Sequence, residues 1–339
     1  MSSRFFAWVG ILVLAVLLAA PAAVRAEKVT FNLDWVPYGK HSGLYAAVAK
    51  GFYKAEGLDV RIIRGHGSSD TVKRISANSA EFGHADTGNL VAARGNSDVK
   101  VKTVAMIHHK SLFVMYVLEK SGIKHPKGIV GRSIGASVGN ATRIMFPAFA
   151  GVAGFDPGKV KWVDMQASSQ LPSLIAERVD AVVTYATIGP SYFAAAKKVG
   201  KKALETLFAD FGLDLYSNGI ITQESRLKDN PNQVKRFVRA TLKGLAFGVE
   251  RPDEAMRFFI KKVPSVSPVL ARAHLDLNNK HMVTEETKKT GIGVMLKNRM
   301  QFLVDTTFKY VPMKRKPALD EIYTNDFITV KLVPKMGTM

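Results

Sequence analysis

The sequence predicts an α/β protein built from two lobes, each with a parallel-rich sheet flanked by helices, and joined by two crossover strands. Residues 28–35, KVTFNLDW, alternate between apolar and polar side chains, as a half-buried strand does. Apolar residues then recur at helical spacing over 44–52, and a further apolar run follows at 58–63. This order of strand, helix and strand is typical of parallel sheets covered by helices.

The same alternation continues along two stretches of chain. The first stretch adds a helix near 69–78, a strand at 81–85, a helix at 87–94 and a strand at 99–107. The second stretch has strands at 132–137, 160–164 and 180–185 and helices at 140–153, 169–178 and 190–198. We predict a first lobe of residues 27–112 plus 217–339 and a second lobe, residues 113–216, inserted into it.

Two long apolar stretches, at 111–118 and 213–222, bracket the second run and are predicted to contain the crossovers between the lobes. From residue 224 the chain becomes helical, and Pro231 begins a helix whose apolar stripe extends to residue 249. Basic residues occupy the other faces of this helix without interleaved aromatic residues or a known binding motif. A solvated surface is therefore the interpretation, and no nucleic-acid partner is expected.

Composition excludes several classes of protein. Of 339 residues, 47% are hydrophobic and 22% charged, which is the balance of a chain with well-formed cores rather than a disordered one. Lys and Arg outnumber Asp and Glu by 48 to 28, a net charge of +20 that is spread along the chain. The absence of cysteine excludes disulfides and thiolate metal sites. The eight histidines form no metal-binding spacing and no phosphate-binding loop is present, so we expect no metal and no cofactor.

The N-terminal residues predict export. Residues 5–24 carry no charge, Pro21 follows the apolar run, and Val24 and Ala26 supply the small side chains that precede a cut after Ala26. Residues 1–26 are therefore predicted to be a signal peptide, and the absence of a lipid-bearing cysteine favours free residence in a periplasm. An uncleaved membrane anchor is the alternative, because about twenty apolar residues can span a bilayer.

One motif offers an enzymatic alternative. Residues 135–139 fit the Gly-x-Ser-x-Gly pattern of a nucleophile elbow, which would make Ser137 the nucleophile of a secreted hydrolase. The triad would need an acid and then a histidine later in the chain, for which the candidates are Asp164, Asp180, His274 and His281. The other interpretation is a small-residue turn at a helix N-terminus, where free N–H groups bind an oxygen without chemistry.

Small or polar residues follow the predicted strands wherever a helix is about to begin. These segments are 35–41, 67–69, 86–87, 137–142 and 185–189. Because ligands bind at the carboxyl ends of strands in open parallel sheets, two facing lobes would form a cleft there. For 67–69 simple helix capping is the alternative. The pattern favours a clamp over a catalyst.

Residues 34–60, DWVPYGKHSGLYAAVAKGFYKAEGLDV, resemble the opening of the thiamine-pyrimidine-precursor branch of the NitT/TauT-type solute-binding proteins. The matching positions are Asp34, Trp35, Pro37, His41, Gly43, Tyr45 and the run 51–60, with further similarity at 81–95. The resemblance covers most of residues 28–250. It implies a periplasmic-binding-protein type II fold, a monomer that closes over a small molecule and delivers it to an ABC permease with its ATPase.

The resembled family also has an enzyme branch that makes the thiamine pyrimidine. That branch has a cofactor-bearing lysine and a histidine at the positions of Ala85 and Asn89, together with a cysteine-rich segment. Since this chain has none of these groups, the resemblance implies a binding protein and not an enzyme.

The resemblance also implies how the ligand is held. Aromatic side chains would stack on a planar ring, for which the candidates are Trp35, Tyr38, Tyr185 and Tyr216, although core packing is the alternative for Trp35. Hydrogen-bonding side chains would orient the ring, namely His41, Asp86 and Thr87. Donor groups from opposite lobes would come from Gly67, Ser68 and Ser69 and from Asn140, Ala141 and Thr142. A sulfonate, nitrate or aromatic carboxylate would use the same donors, with Arg143 as the nearest cation.

Overall fold

The structure, a computed structural model, describes residues 26–336. Ten strands in this part of the chain form two separate sheets. The first sheet contains β1 (Glu27–Asn32), β2 (Leu58–Ile63), β3 (Phe82–Asp86), β4 (Val101–Met106) and β10 (Asn218–Gln223). The second contains β5 (Phe113–Leu118), β6 (Ser133–Ala136), β7 (Lys161–Asp164), β8 (Ala181–Tyr185) and β9 (Ala203–Leu207).

The two sheets share one topology. The first has the order β2-β1-β3-β10-β4 and the second the order β7-β6-β8-β5-β9. In each sheet the strand that follows a crossover lies antiparallel between two others, β10 between β3 and β4 and β5 between β8 and β9. The remaining pairs are parallel. The predicted fold class, two α/β units with parallel-rich sheets, is confirmed.

Helices cover the faces of both sheets. Those around the first sheet are Ser42–Ala49, Phe52–Ala55, Ser68–Ser76, Thr87–Asn96, Glu224–Asp229, Pro231–Glu250, Pro252–Lys262, Pro268–Met282, Glu285–Thr290, Lys297–Tyr310 and Leu319–Ile322. Those inserted with the second sheet are Ala141–Ala153, Ala167–Ile175 and Gly189–Lys198. Most predicted elements occur within three residues of their predicted bounds.

The first strand is shorter than its alternating pattern predicts. Val29 and Phe31 are buried as expected, but the last ladder contact is the N–H of Leu33, which donates to the carbonyl of Ile63 at 2.9 Å. The chain then leaves the sheet, so Trp35 lies in the following loop and is half-buried rather than part of the core. The structure therefore does not support core packing of Trp35 beside Phe31 and Leu33, and it places Trp35 at the carboxyl end of the sheet.

One strand and one terminal contact were not predicted. Strand β9, with the sequence ALETL, is a short edge strand whose apolar and polar residues do not alternate over a long enough run to be recognised. The residues after Lys331 form no helix or strand up to residue 336, yet the carbonyl of Leu332 accepts from the N–H of Ile292 at 2.8 Å. Contacts distant in sequence fix both segments.

A C-terminal helix bridges the two sheets' helical layers. Lys297–Tyr310 packs against Thr87–Asn96 of the first unit and against Ala141–Ala153 of the second. Its buried residues, including Met300 and Leu303, join a single apolar cluster that extends into both units. Because burying such side chains contributes about 1.5–3 kcal/mol each, this helix stabilises the region where the units meet.

The same region holds the two crossover segments. Glu286 accepts hydrogen bonds from the hydroxyl of Tyr216, from Arg299 at 3.4 Å and from His109 at 3.0 Å. His109 belongs to the first crossover and Tyr216 to the second, so one carboxylate from the C-terminal region connects both. Arg299 also donates to the backbone carbonyls of His109 and Asp214.

The predicted signal peptide lies almost wholly outside the described residues, which begin at Ala26. Within residues 26–336, no helix has the length and apolar character needed to cross a bilayer.

Candidate functional site

A cleft lies between the carboxyl edges of the two sheets. Its lining comes from both units: Asp34, Trp35, Tyr38, Gly67 and Ser68 from the first, and Asn140, Ala141, Thr184, Tyr185 and Ile188 from the second. The free cavity volume between the walls is only about 20 Å³, little more than one water molecule occupies. The two walls are therefore nearly in contact, and a small molecule would need them to move apart. The predicted position of the cleft, at the ends of the parallel strands, agrees with the structure.

The first wall of the cleft rests on a buried carboxylate. Asp34 is 2% exposed and follows β1, where it accepts hydrogen bonds from the Lys40 ammonium, from His41 and from Asn218 Nδ2 at 2.9 Å. His84 Nδ1 lies 3.2 Å from the same carboxylate. These donors come from three segments of chain, so the fold assembles a complete polar shell around one charge, as a buried charge requires.

A short turn positions two of these donors. Residues Gly39–His41 form one turn of 3-10 helix before the helix Ser42–Ala49. A Cβ on Gly39 would lie 1.9 Å from the carbonyl oxygen of Ala271, so only glycine allows this turn to pack against the helix Pro268–Met282. The turn then directs the Lys40 and His41 side chains inward, and both are buried.

Burial and pairing act in opposite directions on the Asp34 pair. Burial alone would raise the pKa of Asp34, but the Lys40 ammonium and the imidazoles of His84 and His41 hold it well below its ordinary value. Burial lowers the pKa of Lys40, and the Asp34 carboxylate opposes that shift. We therefore treat Asp34 and Lys40 as a charged pair at neutral pH.

Asp34, His41 and His84 also have the composition of a metal site, because one ligand atom from each lies within 4.8 Å of the others. The N–H of Tyr38, however, donates to His41 Nδ1 at 3.2 Å, which fixes the proton of the neutral ring on Nε2. That nitrogen faces Asp34 Oδ1 at 2.9 Å and donates to it. Together with the Lys40 ammonium, this tautomer fits a hydrogen-bonded carboxylate better than a metal centre.

Asp86 lies behind the cleft and has a structural contact of its own. Its Oδ1 caps the helix Thr87–Asn96 by accepting from the N–H of Asn89 at 3.1 Å, and its Oδ2 accepts from the Ser217 hydroxyl at 2.9 Å. Burial raises the pKa of Asp86 to about 6, although these hydrogen bonds favour the carboxylate. Asp86 can therefore gain or lose a proton near neutral pH.

The second wall is built on the N-terminus of the helix Ala141–Ala153. The Asn140 side chain caps this helix by accepting from the N–H of Arg143 at 3.1 Å, and Thr142 donates to the carbonyl of Thr184 at 2.8 Å. Both side chains are therefore engaged within their own unit. Ala141, the first residue of the helix, lines the cleft, so N–H groups of the first turn can bind an oxygen of a ligand there.

Four contacts connect the two walls across the cleft. The hydroxyls of Tyr38 and Thr187 share a hydrogen bond of 2.7 Å. The Lys40 ammonium lies 4.6 Å from the centre of the Tyr185 ring, a cation–π distance. Two further contacts link Ser69 N–H to the carbonyl of Gly139 at 3.4 Å and Ser191 to His274 Nε2 at 2.9 Å. The two units thus meet through polar groups around the cleft.

The structure separates the predicted site residues into three groups. Those that line the cleft are Trp35, Tyr38, Gly67, Ser68, Asn140, Ala141 and Tyr185. Those that lie directly behind it, bonded to lining residues or to their helices, are His41, Ser69, Asp86, Thr87 and Thr142. Tyr216 lies at the second crossover, fully buried with its hydroxyl on Glu286. We therefore withdraw Tyr216 from the ligand contacts.

Sequence reasoning did not select Lys40, Thr184 or Ile188, and it quoted Asp34 only as part of a motif. Lys40 has no distinguishing pattern, since a lysine in a loop is ordinarily solvated. Thr184 adjoins Tyr185 at the end of β8 and could have been found by extending the rule of strand ends by one residue.

The structure does not bring together the residues that the hydrolase alternative requires. The Ser137 hydroxyl is buried without a hydrogen-bond partner among the described residues. His274, one of its candidate bases, instead bonds to Ser191 through Nε2. A nucleophilic serine needs a base within hydrogen-bond reach, and Ser137 has none in this part of the chain.

Two sheets of identical topology, joined by two crossovers and facing each other across a cleft, define the periplasmic-binding-protein type II fold. A protein of Bordetella bronchiseptica RB50 has this fold with a TM-score of 0.74 and 18% identity, covering 90% of this chain and 96% of its own. The alkanesulfonate-binding protein SsuA from Xanthomonas axonopodis pv. citri, bound to MOPS, gives a TM-score of 0.70 at 9% identity, covering 88% and 98%.

Sequence comparison gives the family. Residues 39–255 match the family described as NMT1/THI5 like, and the chain belongs to it. The riboflavin-binding protein RibY of Chloroflexus aurantiacus is 26% identical over 73% of this chain and 71% of its own. The formylaminopyrimidine-binding protein of Halalkalibacterium halodurans is 27% identical, with coverages of 69% and 70%. The 4-amino-5-hydroxymethyl-2-methylpyrimidine phosphate synthase of Legionella pneumophila is 26% identical, with coverages of 71% and 75%.

Proposed function

We propose that this protein is the substrate-binding component of an ABC importer that captures a small heteroaromatic solute, of pyrimidine-like size, and delivers it to a membrane permease with its ATPase. The observation that supports this most directly is the composition of the cleft. Trp35, Tyr38 and Tyr185 provide aromatic faces from both units, while no nucleophile and base meet there among the described residues. Once its two walls move apart, such a cleft can hold a ring without transforming it.

The charges around the cleft favour a neutral or amine-bearing ring over an anion. The two cations near the lining are already paired, Lys40 with Asp34 and Arg143 with Asp164. An anionic ligand would therefore have to compete with a carboxylate for either cation. A heteroaromatic ring can instead stack on the aromatic side chains of the lining and accept hydrogen bonds from the helix N-termini at Ser68 and Ala141.

The named relatives support the same ligand class. Two of them are named for binding riboflavin and formylaminopyrimidine, both of which contain planar nitrogen heterocycles. The structural neighbour bound to MOPS is named for alkanesulfonates, so a sulfonate, nitrate or aromatic carboxylate is the second candidate class. The N–H groups at the two helix N-termini are the feature that would favour it.

Binding rather than synthesis is proposed even though one relative is named as a synthase. Ala85, which stands where the enzyme branch has its cofactor-bearing lysine, is fully buried in an apolar cluster beneath β3. Asn89 donates its side-chain amide to the Ser69 hydroxyl at 2.8 Å and serves the packing of two helices. A lysine at position 85 would have its ammonium in an apolar core.

The wider assignments belong to the same proposal. We propose that residues 27–112 plus 217–339 and residues 113–216 act as two lobes that close by motion at the crossovers, with the helix Lys297–Tyr310 contacting both. We also propose that the protein resides in the periplasm after cleavage of the chain following Ala26, and that it acts as a monomer.

Substituting Trp35 tests the proposed ligand contact. Trp35→Ala should weaken binding of a pyrimidine probe by about 1–3 kcal/mol, the range for a stacked aromatic contact in an interface. Trp162→Ala is the matched control, because Trp162 is also half-buried but packs on Phe146 and Arg143 in the second unit. Calorimetry with formylaminopyrimidine that gives equal affinities for wild type and Trp35→Ala would contradict the proposal.

A further inference from the structure

Besides the cleft, the protein has a second surface at one lateral edge of the first sheet. This edge is strand β2, the outermost strand in the order β2-β1-β3-β10-β4. Two depressions share Val48 and Val60 and so form one continuous groove beside the edge strand β2. We call it the β2 groove. It is bounded by β2, by the helices Ser42–Ala49 and Phe52–Ala55, and by the end of the helix Pro252–Lys262.

The backbone of β2 has an unused hydrogen-bonding edge. The N–H groups of Glu27 and Leu33 donate to the carbonyls of Gly57 and Ile63, so β1 is paired with the odd-numbered residues of β2. In a parallel ladder the N–H and C=O groups of the intervening residues then point outward. Those residues are Leu58, Val60 and Ile62, and no strand of the described chain pairs with them. Leu58 is only 1% exposed, so the backbone groups that another strand can reach are those of Val60 and Ile62.

The opposite edge of the same sheet, strand β4, is covered by other residues of the chain. Strand β4 forms isolated bridges with Gly293 and Tyr323, so the C-terminal segment covers it. Exposed strand edges are sites of pairing with another chain, and proteins usually cover them or place charges on them. Within residues 26–336, the chain therefore covers the β4 edge and leaves the β2 edge without a strand partner.

The charges of the groove are strongly one-sided. Lys28, Lys54, Arg61, Lys261 and Lys262 are all exposed, and none forms an ion pair within residues 26–336. Asp59 is the one acidic residue of the lining. Neighbouring acids are already engaged, Glu56 with Arg239 and Glu254 with Lys50. These five cations thus have no acidic partner among the described residues.

These features together select one kind of occupant. The outward backbone groups of β2 can be satisfied by a polypeptide strand but not by a lipid chain. The five cations repel a second copy of this chain, which would bring the same charges, and attract an acidic segment. The half-buried apolar side chains of Tyr45 and Phe258 offer places for alternate apolar residues of an extended peptide.

We propose that the β2 groove is a docking site for an extended acidic segment of a partner protein, in which acidic and apolar residues alternate and which adds to the first sheet as a strand. The surface is separate from the cleft, so the proposal stands or falls independently of the proposed ligand.

The test uses the purified protein and a fluorescein-labelled peptide of four Glu-Val repeats, followed by fluorescence anisotropy. We expect saturable binding, and Lys261→Glu with Lys262→Glu should weaken it at least ten-fold. The matched control is Lys197→Glu with Lys198→Glu, which makes the same change of charge at two exposed lysines of the second unit that form no ion pair within residues 26–336. That control should change affinity less than two-fold.

Two further probes separate strand addition from simple charge attraction. A block peptide of four Glu followed by four Val has the same charge without the alternation, and a Glu-Val peptide methylated at alternate backbone nitrogens cannot extend the ladder. Both should bind at least ten-fold more weakly. No binding of the Glu-Val peptide, equal losses in the two charge-reversed proteins, equal binding of the block peptide, or binding of anionic phospholipid vesicles instead of the peptide would each overturn the proposal.

Discussion

Replacing Lys40 with methionine should destabilise the protein by about 3 kcal/mol at pH 7. The substitution keeps most of the side-chain volume but removes the ammonium that neutralises Asp34, which is 2% exposed. Removing one partner of a buried ion pair costs about 3–5 kcal/mol, because the remaining charge is left uncompensated. Asp34 keeps donors from His41 and Asn218, which places the expected loss at the lower end of that range.

The pH dependence of this effect has a definite sign. In the wild-type protein the lowered pKa of Asp34 stabilises the fold at neutral pH, and that contribution is lost only as the pH falls through the folded-state pKa. In Lys40→Met the carboxyl pKa rises, so the Asp34 side chain takes up a proton at a higher pH. The difference in stability between the two proteins should therefore be largest at pH 7 and shrink towards pH 4.

Denaturant unfolding of a double-mutant cycle measures the pair. Asp34→Asn, Lys40→Met and the double variant should give a coupling free energy of about 2 kcal/mol or more. Lys54→Met, at an exposed lysine with no ion pair among the described residues, should change stability by less than about 0.5 kcal/mol. A loss below about 1 kcal/mol for Lys40→Met, or a coupling near zero, would refute the charged pair.

Three other predictions concern closure and titration. Gly67→Ala should weaken ligand binding at least ten-fold, because its Cβ would lie 2.6 Å from the Gly139 carbonyl oxygen across the cleft. The control Gly131→Ala is also at positive φ but has nothing within 4 Å of its Cβ, so it should affect only stability. Equal affinities of the two variants in calorimetry would contradict this prediction. Tyr38→Phe removes the 2.7 Å hydrogen bond to Thr187 and should lower affinity about five-fold; an unchanged affinity would show that this bond does not contribute to closure. Asp86→Asn should gain stability relative to wild type, by up to roughly 3 kcal/mol, as the pH rises from 4 to 7. The reason is that the wild type, with the pKa of Asp86 raised to about 6, loses stability over that interval. A stability difference that does not change with pH in unfolding experiments would contradict the raised pKa.

The fold was predictable because its patterns are local. Alternation in β1, helical spacing after it and the repetition of these units indicate parallel sheets without knowledge of tertiary contacts. The same logic located the cleft, since Trp35, Gly67 and Asn140 follow strands, Tyr185 ends one, and the ends of parallel strands share one edge.

What sequence reasoning missed depends on contacts between distant segments. Lys40 can be buried because the Asp34 carboxylate accepts a hydrogen bond from its ammonium and because Tyr185, from the other unit, lies over it. Nothing in the residues adjacent to Lys40 indicates this. Tyr216 was predicted to stack on the ligand, but Glu286, seventy residues later, binds its hydroxyl and holds it at the crossover. An aromatic residue after a buried run is equally compatible with either position.

Calorimetric titration of the purified protein with formylaminopyrimidine, riboflavin, an alkanesulfonate and nitrate tests the central claim most directly. A cleft lined by three aromatic side chains, with its nearby cations already paired, should bind at least one of the two heterocycles with a dissociation constant of about 1 μM or lower and neither anion. Binding of the sulfonate or nitrate alone would contradict the account and shift the ligand contacts to the N–H groups of the two helix N-termini.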